Sequence, residues 1–589
     1  MNKSLENPTA PHEDRLEKAI GLALCLIGLF LAFWTAFFPV RFCNDPWWHL
    51  KTGKYLIEYM GEHGFAFPPT DVFSFTGSQT PWVNHEWLSD MLLYAMYLVG
   101  GLPFCVFVKA LTVAATGFVI ILTLRADGCR WGWCGVGAMF AILVAQTTLY
   151  LRPPILTYFF IVLFVYLLQH FFLRYPIPIT AALVGLEVLW INLHGGGVLG
   201  VILCGFFLAE RFWNWFAQEA GIGGEENHAV GKAWLCFILV GLASLANPWG
   251  YEVYLLPGKV LGDQWLVSRL GELESPNLRM AVALRLLLAG FLLIPFLRGP
   301  RIGLFRGITL LMFGYQALSY LRQVPLLGLV GVPVLVERLD ESSRWLADNL
   351  RRGKQDLVRA LGTFLRKGDA AIVMLVLGYH AGWNPPWVAG MWVRNLEDLP
   401  ILLETGYRRD SFPEGAVNFL LYHKIPGPMM NNDNFAGYLI WRLSPETMQV
   451  FTDSRFDLFG SKYAKEERAV IEARDEPEGF YDEDTWITVV KPTWDFWKSL
   501  AATGKDPDIT AWVQSGKKYW QWILEDKYRI NIILVYCKED PIDVYLQSGD
   551  HGWKPIYNRR DEGYEMYLAD RPENQALLER IQKKHEVGP

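Results

Sequence analysis

The chain has 589 residues, of which 52% are hydrophobic, 15% aromatic and only 19% charged. A soluble domain carries about 25% charged residues, and the apolar residues here fall in long blocks between short polar segments. This pattern is typical of a polytopic membrane protein. The formal net charge of −6 gives no basic excess, so we predict no nucleic-acid partner.

Eleven apolar runs are candidate membrane spans. Residues 1–18 are polar and carry no secretory signal, so we expect the first run to remain as an anchor. Several runs are shorter than the ~20 residues of a perpendicular helix, which fits helices that end in a protein cavity. The predicted spans are 19–40, 102–124, 132–149, 155–173, 178–193, 198–216, 233–247, 279–297, 307–320, 324–337 and 370–388.

The charges between the spans predict the orientation. If the N-terminus is cytoplasmic, the inside segments hold 18 Lys and Arg, eight of them in a basic loop at 338–369. The outside loops hold seven over a slightly longer total length, and Lys and Arg accumulate on the cytoplasmic side. We therefore predict a multi-pass domain at 1–388 in the inner (cytoplasmic) membrane, followed by an extracytoplasmic tail at 389–589.

The tail has the pattern of a small α/β domain. Its strand and helix patterns alternate. Helices are predicted at 412–423, 463–474 and 509–525, strands at 448–452 and 529–536, and a hairpin from 553–558 and 564–569. The fold class is thus a mainly α polytopic membrane protein with a C-terminal α/β domain.

The first external loop, residues 41–101, contains the first candidate reacting groups. Asp45 opens the sequence Asp-Pro-Trp-Trp-His and is a candidate general base toward an acceptor hydroxyl. The alternative is a helix cap, since Pro46 suits a first helical position. His49 lies four residues on, hence on the same helical face, and is either a functional or an interfacial histidine.

Glu86 is a second candidate carboxylate, near the end of the same loop. It lies in the sequence Trp-Val-Asn-His-Glu-Trp and begins a run with apolar helical spacing. Glu86 and Asp45 together could form a catalytic carboxylate pair. The alternative is that Glu86 only complements the positive end of the helix dipole.

Two arginines and one histidine are candidates for binding a lipid-linked phosphate. Arg152 and Arg322 are isolated cations beside long apolar runs, which is costly without a partner. A guanidinium fork suits a phosphate, whereas the alternative is snorkelling to head groups. His194 precedes three glycines, which permit close approach of a backbone or substrate; a helix break with a capping imidazole is the alternative.

Asn192 and Asn247 complete the candidate set, and every member lies at the outer end of a predicted span. We therefore expect these groups to converge in one pocket at the membrane surface. One carboxylate and one histidine at helical spacing are too few ligands to predict a metal site. No definite cofactor is predicted, and the use of a divalent metal stays open.

The order of these motifs resembles that of polytopic bacterial membrane proteins related to the GT-C glycosyltransferases. The matching motifs are Asp-Pro-Trp-Trp-His at 45–49, Asp-Val-Phe-Ser-Phe-Thr at 71–76, Trp-Val-Asn-His-Glu-Trp-Leu at 82–88, Trp-Ile-Asn-Leu-His-Gly-Gly at 190–196, Asn-Pro-Trp-Gly at 247–250, Arg-Gln-Val-Pro at 322–325, Gly-Tyr-Leu-Ile-Trp at 437–441 and Val-Phe-Thr-Asp-Ser-Arg at 450–455. They cover most of the chain.

The resemblance implies a GT-C-like arrangement of spans and a glycosyltransferase activity. GT-C enzymes carry an essential acid in the first external loop and take a sugar from a polyprenyl-phosphate carrier on the outer face of the membrane. Asp45 takes the acidic position, with Glu86 second, and Arg152 and Arg322 match the carrier-binding cations in kind. The chain departs from the family in having a single acid, without an Asp-Glu pair.

The expected partners are a polyprenyl-phosphate-linked sugar donor, an unidentified acceptor and membrane lipid. Transfer of a hexosyl or pentosyl group is the expected reaction. Two other classes stay open: a non-catalytic membrane scaffold for polysaccharide or glycoprotein assembly or export, and a transporter.

Overall fold

The structure, a computed structural model, describes residues 15–41, 43–221, 229–279, 281–383, 394–478, 481–482, 487–488, 493–549 and 551–586. The chain divides into two compact units. Unit 1 comprises residues 1–40, 84–255 and 267–407, and unit 2 comprises residues 41–83, 256–266 and 408–589. The predicted boundary at 388/389 lies outside the described residues, and unit 2 joins most of the tail to much of the first external loop.

Helices account for most of the described chain. In chain order they are α1 Arg15–Ala36, α2 Asp45–His63, α3 Trp87–Ala126, α4 Trp131–Ala145, α5 Pro154–His170, α6 Pro176–Leu193, α7 Val198–Glu219, α8 Val230–Ala243, α9 Leu256–Gly262, α10 Gln264–Val267, α11 Val282–Leu293, α12 Leu304–Ser319, α13 Val324–Arg351, α14 Asp356–Trp383, α15 Leu399–Glu404, α16 Glu414–His423, α17 Ala436–Leu443, α18 Phe456–Phe459, α19 Lys462–Ile471, α20 Trp494–Thr503, α21 Pro507–Ser515, α22 Tyr519–Trp522, α23 Ile542–Leu546 and α24 Gln575–Glu586.

Each of the eleven predicted spans overlaps one helix of unit 1, namely α1, α3 to α8 or α11 to α14. Among the described residues, four stretches are long and apolar enough to cross a membrane: α1, α3, α6 and Gly195–Glu219, which includes α7. Shorter apolar helices are α5, α8 and Val282–Phe296. A membrane-embedded helical unit is therefore confirmed, and the number of eleven spans stays a prediction.

The core of unit 1 is built around α4. Every residue of α4 from Gly132 to Ala145 is buried, and α4 packs against α1, α3 and α13. Other helices turn large apolar side chains outward: Phe30, Leu292 and Leu311 are 60%, 77% and 75% exposed. Soluble monomers rarely expose contiguous apolar patches beyond a few hundred Å², so these faces fit contact with lipid.

Helix α3 bends where its sequence contains two adjacent glycines. Gly100 and Gly101 have non-helical backbone angles, and Gly101 has φ +64°. Pro103 follows, so it removes one helical hydrogen bond just after the bend. The residues before the bend, from Trp87, were predicted as part of the external loop, but they already form helix because their apolar spacing is helical.

Unit 2 contains a mixed four-stranded sheet. Its strands are β1 Met429–Met430, β4 Ile532–Tyr536, β5 Trp553–Arg559 and β6 Tyr564–Ala569, in the order β1-β4-β6-β5. β1 runs parallel to β4, whereas β4, β6 and β5 are antiparallel neighbours. A separate two-stranded sheet joins β2 Tyr481–Asp482 to β3 Ile487–Thr488.

Several predictions for the tail are confirmed in outline. The hairpin is β5 and β6, the apolar run 529–536 contains β4, and helices α16 and α19 lie where they were predicted. Residues 509–525 instead form α21, α22 and the start of a π-helical turn at Ile523–Lys527, because Gly516 ends α21 with φ +69°. The predicted strand at 448–452 makes only a single bridge, between Val450 and Ser74.

Candidate functional site

In unit 1, the sequence candidates Glu86 and His194 lie side by side. His194 Nε2 is 3.3 Å from Glu86 Oε1. The two side chains are 16% and 11% exposed, so the pair is largely shielded from water. Glu86 precedes α3 and His194 follows α6, so the pair joins two helix ends that are 108 residues apart in the sequence.

Two direct hydrogen bonds hold these helix ends together. The Trp87 indole donates to Asn192 Oδ1 at 3.0 Å, and the Ser89 hydroxyl donates to the Leu193 carbonyl at 2.5 Å. Both donors are in the first turn of α3, and both acceptors are in the last turn of α6. The position of Glu86 opposite His194 is therefore determined by the packing of these two turns.

The hydrogen bonds of His194 determine its tautomer. The Gly196 backbone N–H donates to His194 Nδ1 at 2.9 Å, and the Thr157 hydroxyl lies 2.8 Å from the same nitrogen. Thr157 Oγ1 already accepts from the Trp190 indole at 2.9 Å, so its own proton is available to Nδ1. Because a backbone N–H can only donate, Nδ1 is the acceptor and Nε2 carries the proton that faces Glu86.

The tautomer of His194 determines whether this histidine can bind a metal ion through Nε2. His85, Glu86 and His194 each bring one ligand atom within 4.8 Å of the others. A neutral histidine binds a metal through an unprotonated nitrogen, but His194 Nε2 holds a proton while Nδ1 accepts two hydrogen bonds. The cluster therefore suits a proton-holding carboxylate–imidazole pair better than a metal ion.

The glycines after His194 permit a close backbone approach, and His194 also caps the turn that follows, which is the alternative given for it, because its side chain accepts from the Gly196 N–H. A Cβ on Gly196 would lie 2.6 Å from His194 Nδ1 and closer still to Thr157 Oγ1, and a Cβ on Gly195 would lie 2.9 Å from the His85 ring. Only a residue without a side chain lets this short 3-10 turn, Gly195–Gly197, pass so near both imidazoles.

We expect Gly196→Ala to lower the melting temperature and to displace His194, because overpacking of this kind costs about 1–3 kcal/mol. Thermal unfolding of the full chain in detergent measures the effect. Gly185→Ala on α6 is the matched control, since nothing lies within 4 Å of the position of its added Cβ. Equal melting temperatures for the two variants would contradict the close packing.

The side chains of both candidate asparagines form hydrogen bonds within the protein. Asn192 donates to the Val188 and Ala246 carbonyls at 2.8 and 2.7 Å, in addition to accepting from Trp87. Asn247 accepts from the Trp249 N–H and donates to the Ser244 and Gly250 carbonyls, which closes its own turn. Both amides therefore shape the helix ends, and direct binding by them stays a prediction.

Arg152 and Arg322 belong to one neighbourhood of unit 1. Arg152 Nη1 forms a 2.5 Å ion pair with Glu272 Oε1. The turn of Arg322, Leu321–Gln323, is hydrogen-bonded to the segment of Glu272 through Leu321 N and the Glu274 carbonyl at 2.8 Å. Both arginines act electrostatically on the buried Tyr158 hydroxyl. The neighbourhood thus contains two arginines together with the acids Glu272 and Glu274.

Helix α5 connects the neighbourhood of Arg152 and Arg322 with the Glu86–His194 pair. Arg152 lies just before α5, and Thr157, which contacts His194, lies in its first turn. Within unit 1, the structure thus brings together Glu86, His194 and Asn192. The pairing of Glu86 with His194 is observed, whereas convergence of Arg152 and Arg322 with that pair stays a prediction.

Asp45 and His49 are on α2 in unit 2, so their convergence with the unit 1 residues stays a prediction. Asp45 is the first residue of α2, and the N-cap position belongs to Asn44, which makes no capping hydrogen bond. Asp45 Oδ1 accepts from the Ser454 hydroxyl at 2.8 Å and from the Trp48 indole at 3.3 Å. Asp45 is half-buried, and these two donors orient its carboxylate.

His49 is less accessible than Asp45. Its side chain is 2% exposed, and its ring lies 3.6 Å from the Trp48 ring, centroid to centroid. This burial favours packing of the imidazole in the core over contact with a substrate, and its catalytic role stays a prediction.

A buried ion network surrounds Ser454, the partner of Asp45. The Arg455 guanidinium forms a two-pronged pair with Asp453 at 2.8 and 2.7 Å and reaches Asp71 Oδ1 at 2.8 Å. Both carboxylate side chains are fully buried, and the Arg455 side chain is 3% exposed. The network ties the first external loop to the tail.

Asp433 is a further acid of unit 2 near Asp45. Burial, together with the carboxylates of Asp453 and Asp45, raises the pKa of Asp433 to about 6. Burial raises the pKa of Asp540 to about 6 as well, and burial and the charge of Asp433 raise the pKa of Glu467. At neutral pH these acids repel one another in a poorly hydrated region.

We expect unit 2 to become more stable as the pH falls from 7 to 5. The pKa of Asp433 is raised on folding from 3.8 to about 6, so its stabilising contribution is complete below about pH 4 and is lost as the pH rises through 6. Asp433→Asn should flatten the pH dependence of the unfolding free energy by about 1 kcal/mol between pH 5 and 7.

Urea unfolding of the full chain, followed by tryptophan fluorescence, measures this pH dependence. The control is Asp495→Asn, since the Asp495 side chain is 94% exposed. A wild-type slope in Asp433→Asn would contradict the raised pKa.

Three residues of this region were missed as candidates by the sequence analysis: Ser454, Asp433 and Asp71. The sequence Asp-Ser-Arg at 453–455 enters the sequence analysis only as part of the family motif at 450–455. The motif Asp-Val-Phe-Ser-Phe-Thr at Asp71 is the sequence feature that could have indicated this region, because a lone acid between aromatic residues in a loop requires a partner.

Comparison with known proteins shows the fold. No protein-family model matches the chain, and no curated protein matches its sequence. The structure is similar to that of the archaeal oligosaccharyltransferase AglB from Archaeoglobus fulgidus in complex with an inhibitory peptide and a dolichol-phosphate. The TM-score is 0.52 and the sequence identity is 12%. The alignment covers 95% of this chain and 75% of that chain. The oligosaccharyltransferase of the same organism tethered with an acceptor peptide aligns with a TM-score of 0.49 and 13% identity over the same shares. The chain thus shares its fold with this oligosaccharyltransferase.

Proposed function

We propose that this chain is a GT-C-like membrane glycosyltransferase that moves a sugar from a polyprenyl-phosphate-type donor to an acceptor on the extracytoplasmic face. The observation that carries the proposal is the fold likeness over 95% of the chain to an oligosaccharyltransferase in complex with a dolichol-phosphate. Eleven spans, a cytoplasmic N-terminus and an inner-membrane location belong to the same proposal.

On the donor side, Arg152 and Arg322 bind the carrier phosphate. Glu272 holds the Arg152 guanidinium in place. When the sugar leaves, negative charge develops on the lipid phosphate, and fixed cations in a poorly hydrated cleft stabilise it. The ion pair with Glu272 then weakens as the phosphate takes its place at the guanidinium.

The Glu86–His194 pair is the second acidic element of this proposal. The proton on His194 Nε2 faces Glu86 Oε1 at 3.3 Å, and Thr157 connects His194 to the start of α5 after Arg152. We assign Glu86 to proton handling near the donor, with His194 positioning its carboxylate.

On the acceptor side, Asp45 is the general base. The Ser454 hydroxyl and the Trp48 indole orient Oδ1, and half-burial keeps the carboxylate accessible. Asp45 accepts the proton of an acceptor hydroxyl as that oxygen attacks the anomeric carbon and the carrier phosphate departs.

We expect the double variant Arg152→Ala/Arg322→Ala to lower kcat/KM for the donor by at least about 100-fold, since one hydrogen bond to a charged group contributes roughly 1.5–3 kcal/mol. Consumption of the lipid donor by the full chain in nanodiscs measures this. The matched control is Arg174→Ala, an exposed arginine just before α6. A wild-type kcat/KM in the double variant would exclude these two cations as the phosphate site.

The direct test of the function is a panel of synthetic polyprenyl-phosphate and polyprenyl-diphosphate sugars. The full chain in nanodiscs is incubated with each donor and with peptide or glycan acceptors, and the released lipid phosphate is measured by mass spectrometry. We expect consumption of at least one donor. If none is consumed while the chain still restores the phenotype of a deletion strain, the scaffold alternative replaces the enzyme.

A further inference from the structure

A second cluster of chemically active side chains lies in unit 2, on the sheet. Cys537 directly follows β4, Glu565 is on the neighbouring strand β6, and Asp543 is on α23. The Cys537 backbone N–H donates to the Gly563 carbonyl at 2.9 Å, which aligns the two strand ends. One ligand atom of each of the three side chains lies within 4.8 Å of the others.

The two carboxylates of this cluster are buried close together. Asp543 is 4% exposed and Glu565 is 2% exposed. The guanidinium of Arg560 bridges them, with Nη2 at 2.5 Å from Asp543 Oδ2 and Nε at 2.6 Å from Glu565 Oε1. One cation against two buried anions leaves a net negative charge, which is costly without a further proton or cation.

The hydrogen bonds leave one oxygen of the cluster unsatisfied. Asp543 Oδ2 accepts from Arg560 and from the Gln547 amide at 2.8 Å, and Glu565 Oε2 accepts from the Tyr567 hydroxyl at 2.7 Å. Asp543 Oδ1 is buried and has no hydrogen-bond partner. An unpartnered, buried carboxylate oxygen in native structures calls for a specific explanation, such as an ion.

We propose that Cys537, Asp543 and Glu565 bind a thiophilic divalent cation such as Zn²⁺. A sulfur with two carboxylate oxygens is a ligand set that suits Zn²⁺ far better than Mg²⁺ or Ca²⁺, which take oxygen ligands only. Zn–S and Zn–O bonds of roughly 2.3 and 2.1 Å place ligand atoms about 3.5 Å apart. The three side chains therefore close in on the cation where they now lie further apart than this, and water completes the tetrahedron.

The proton balance of this site follows from the chemistry of the thiol. A metal-free cysteine thiol carries its proton at neutral pH. The cation displaces this proton to water and the sulfur binds as thiolate, as metal-coordinated thiols do. Cys537 is half-buried, which gives the cation access.

Cobalt binding to the full chain in detergent tests the proposal. After chelator treatment, Co²⁺ titration should produce a near-ultraviolet thiolate-to-cobalt absorption band that saturates at one equivalent and disappears on adding Zn²⁺. Cys537→Ser should abolish the band and weaken Co²⁺ binding at least about 100-fold, because even indirect ligand contacts are worth 10–100-fold. Cys43→Ser, a half-buried cysteine of the same unit, should keep the band.

A measurement on the wild-type chain covers the case in which Cys537→Ser does not fold. Zn²⁺ should protect Cys537, but not Cys43, from alkylation by N-ethylmaleimide, as read by peptide mass spectrometry. Absence of a cobalt band in the wild-type chain, a band that persists in Cys537→Ser, or equal alkylation of Cys537 with and without Zn²⁺ would each overturn the proposal. Asp543 and Glu565 would then share a proton.

Discussion

Replacing Asp45 with asparagine should reduce sugar transfer by at least about 100-fold, since a positioned general base contributes roughly 10²–10⁴-fold. Asparagine keeps the size of the side chain, and its Oδ1 can still accept from Ser454 and Trp48. The melting temperature should therefore stay close to that of wild type, because the side chain keeps both its size and these two hydrogen bonds. Initial rates of transfer and thermal unfolding measure the two effects.

The control for Asp45→Asn is Asp561→Asn, which changes an exposed acid of the β5–β6 turn in the same unit. We expect it to transfer sugar at the wild-type rate. Two outcomes separate the alternatives for Asp45. Wild-type transfer by Asp45→Asn would exclude the general base, whereas a large fall in melting temperature together with lost transfer would assign Asp45 to the stability of α2.

The second large effect concerns Arg455. Arg455→Met should destabilise unit 2 by about 3–5 kcal/mol, because removing one partner of a buried ion pair leaves an uncompensated buried charge. Here the two acids left behind, Asp71 and Asp453, are fully buried. The guanidinium also lies over the rings of Phe73 and Trp82, at 5.3 and 5.4 Å from their centroids. Urea unfolding of the full chain by tryptophan fluorescence measures the loss.

Two further variants check the cause of that loss. Arg408→Met removes an arginine that pairs with Asp410 at a more exposed place, with side chains 35% and 66% exposed, and should cost less than about 1 kcal/mol. Adding Asp71→Asn and Asp453→Asn to Arg455→Met should recover much of the stability, since the buried charges are then gone. If Arg455→Met costs no more than Arg408→Met, the network does not stabilise the unit.

The helices of unit 1 and the β5–β6 hairpin could be predicted because their signals are local. An apolar run of span length indicates a helix whatever surrounds it, and two alternating runs around a Gly-containing turn indicate a hairpin. The pairing of residues 41–83 with the tail could not be predicted, because hydrophobic periodicity says nothing about which distant segments meet. Nothing in the local sequence around Arg455 indicates that its partner is Asp71, 384 residues away.

The candidate site was predictable in residue type rather than in role. Glu86 and His194 were both candidates, but only the structure shows that they form a pair. Asn192 and Asn247 were also candidates, but the structure shows that their amides form hydrogen bonds within the protein. A polar side chain at a helix end can serve either the substrate or the backbone, and its sequence context is the same in both cases.

The pair of Asp71 and Arg455, 384 residues apart in the sequence, has a consequence for biosynthesis. A ribosome adding about 5–20 residues per second makes Arg455 roughly 20–80 s after Asp71. For that time the newly made loop exposes a carboxylate and aromatic rings whose partners do not yet exist. The nascent loop must therefore remain unfolded or be protected by a chaperone, and a chain terminated before residue 455 cannot complete this core.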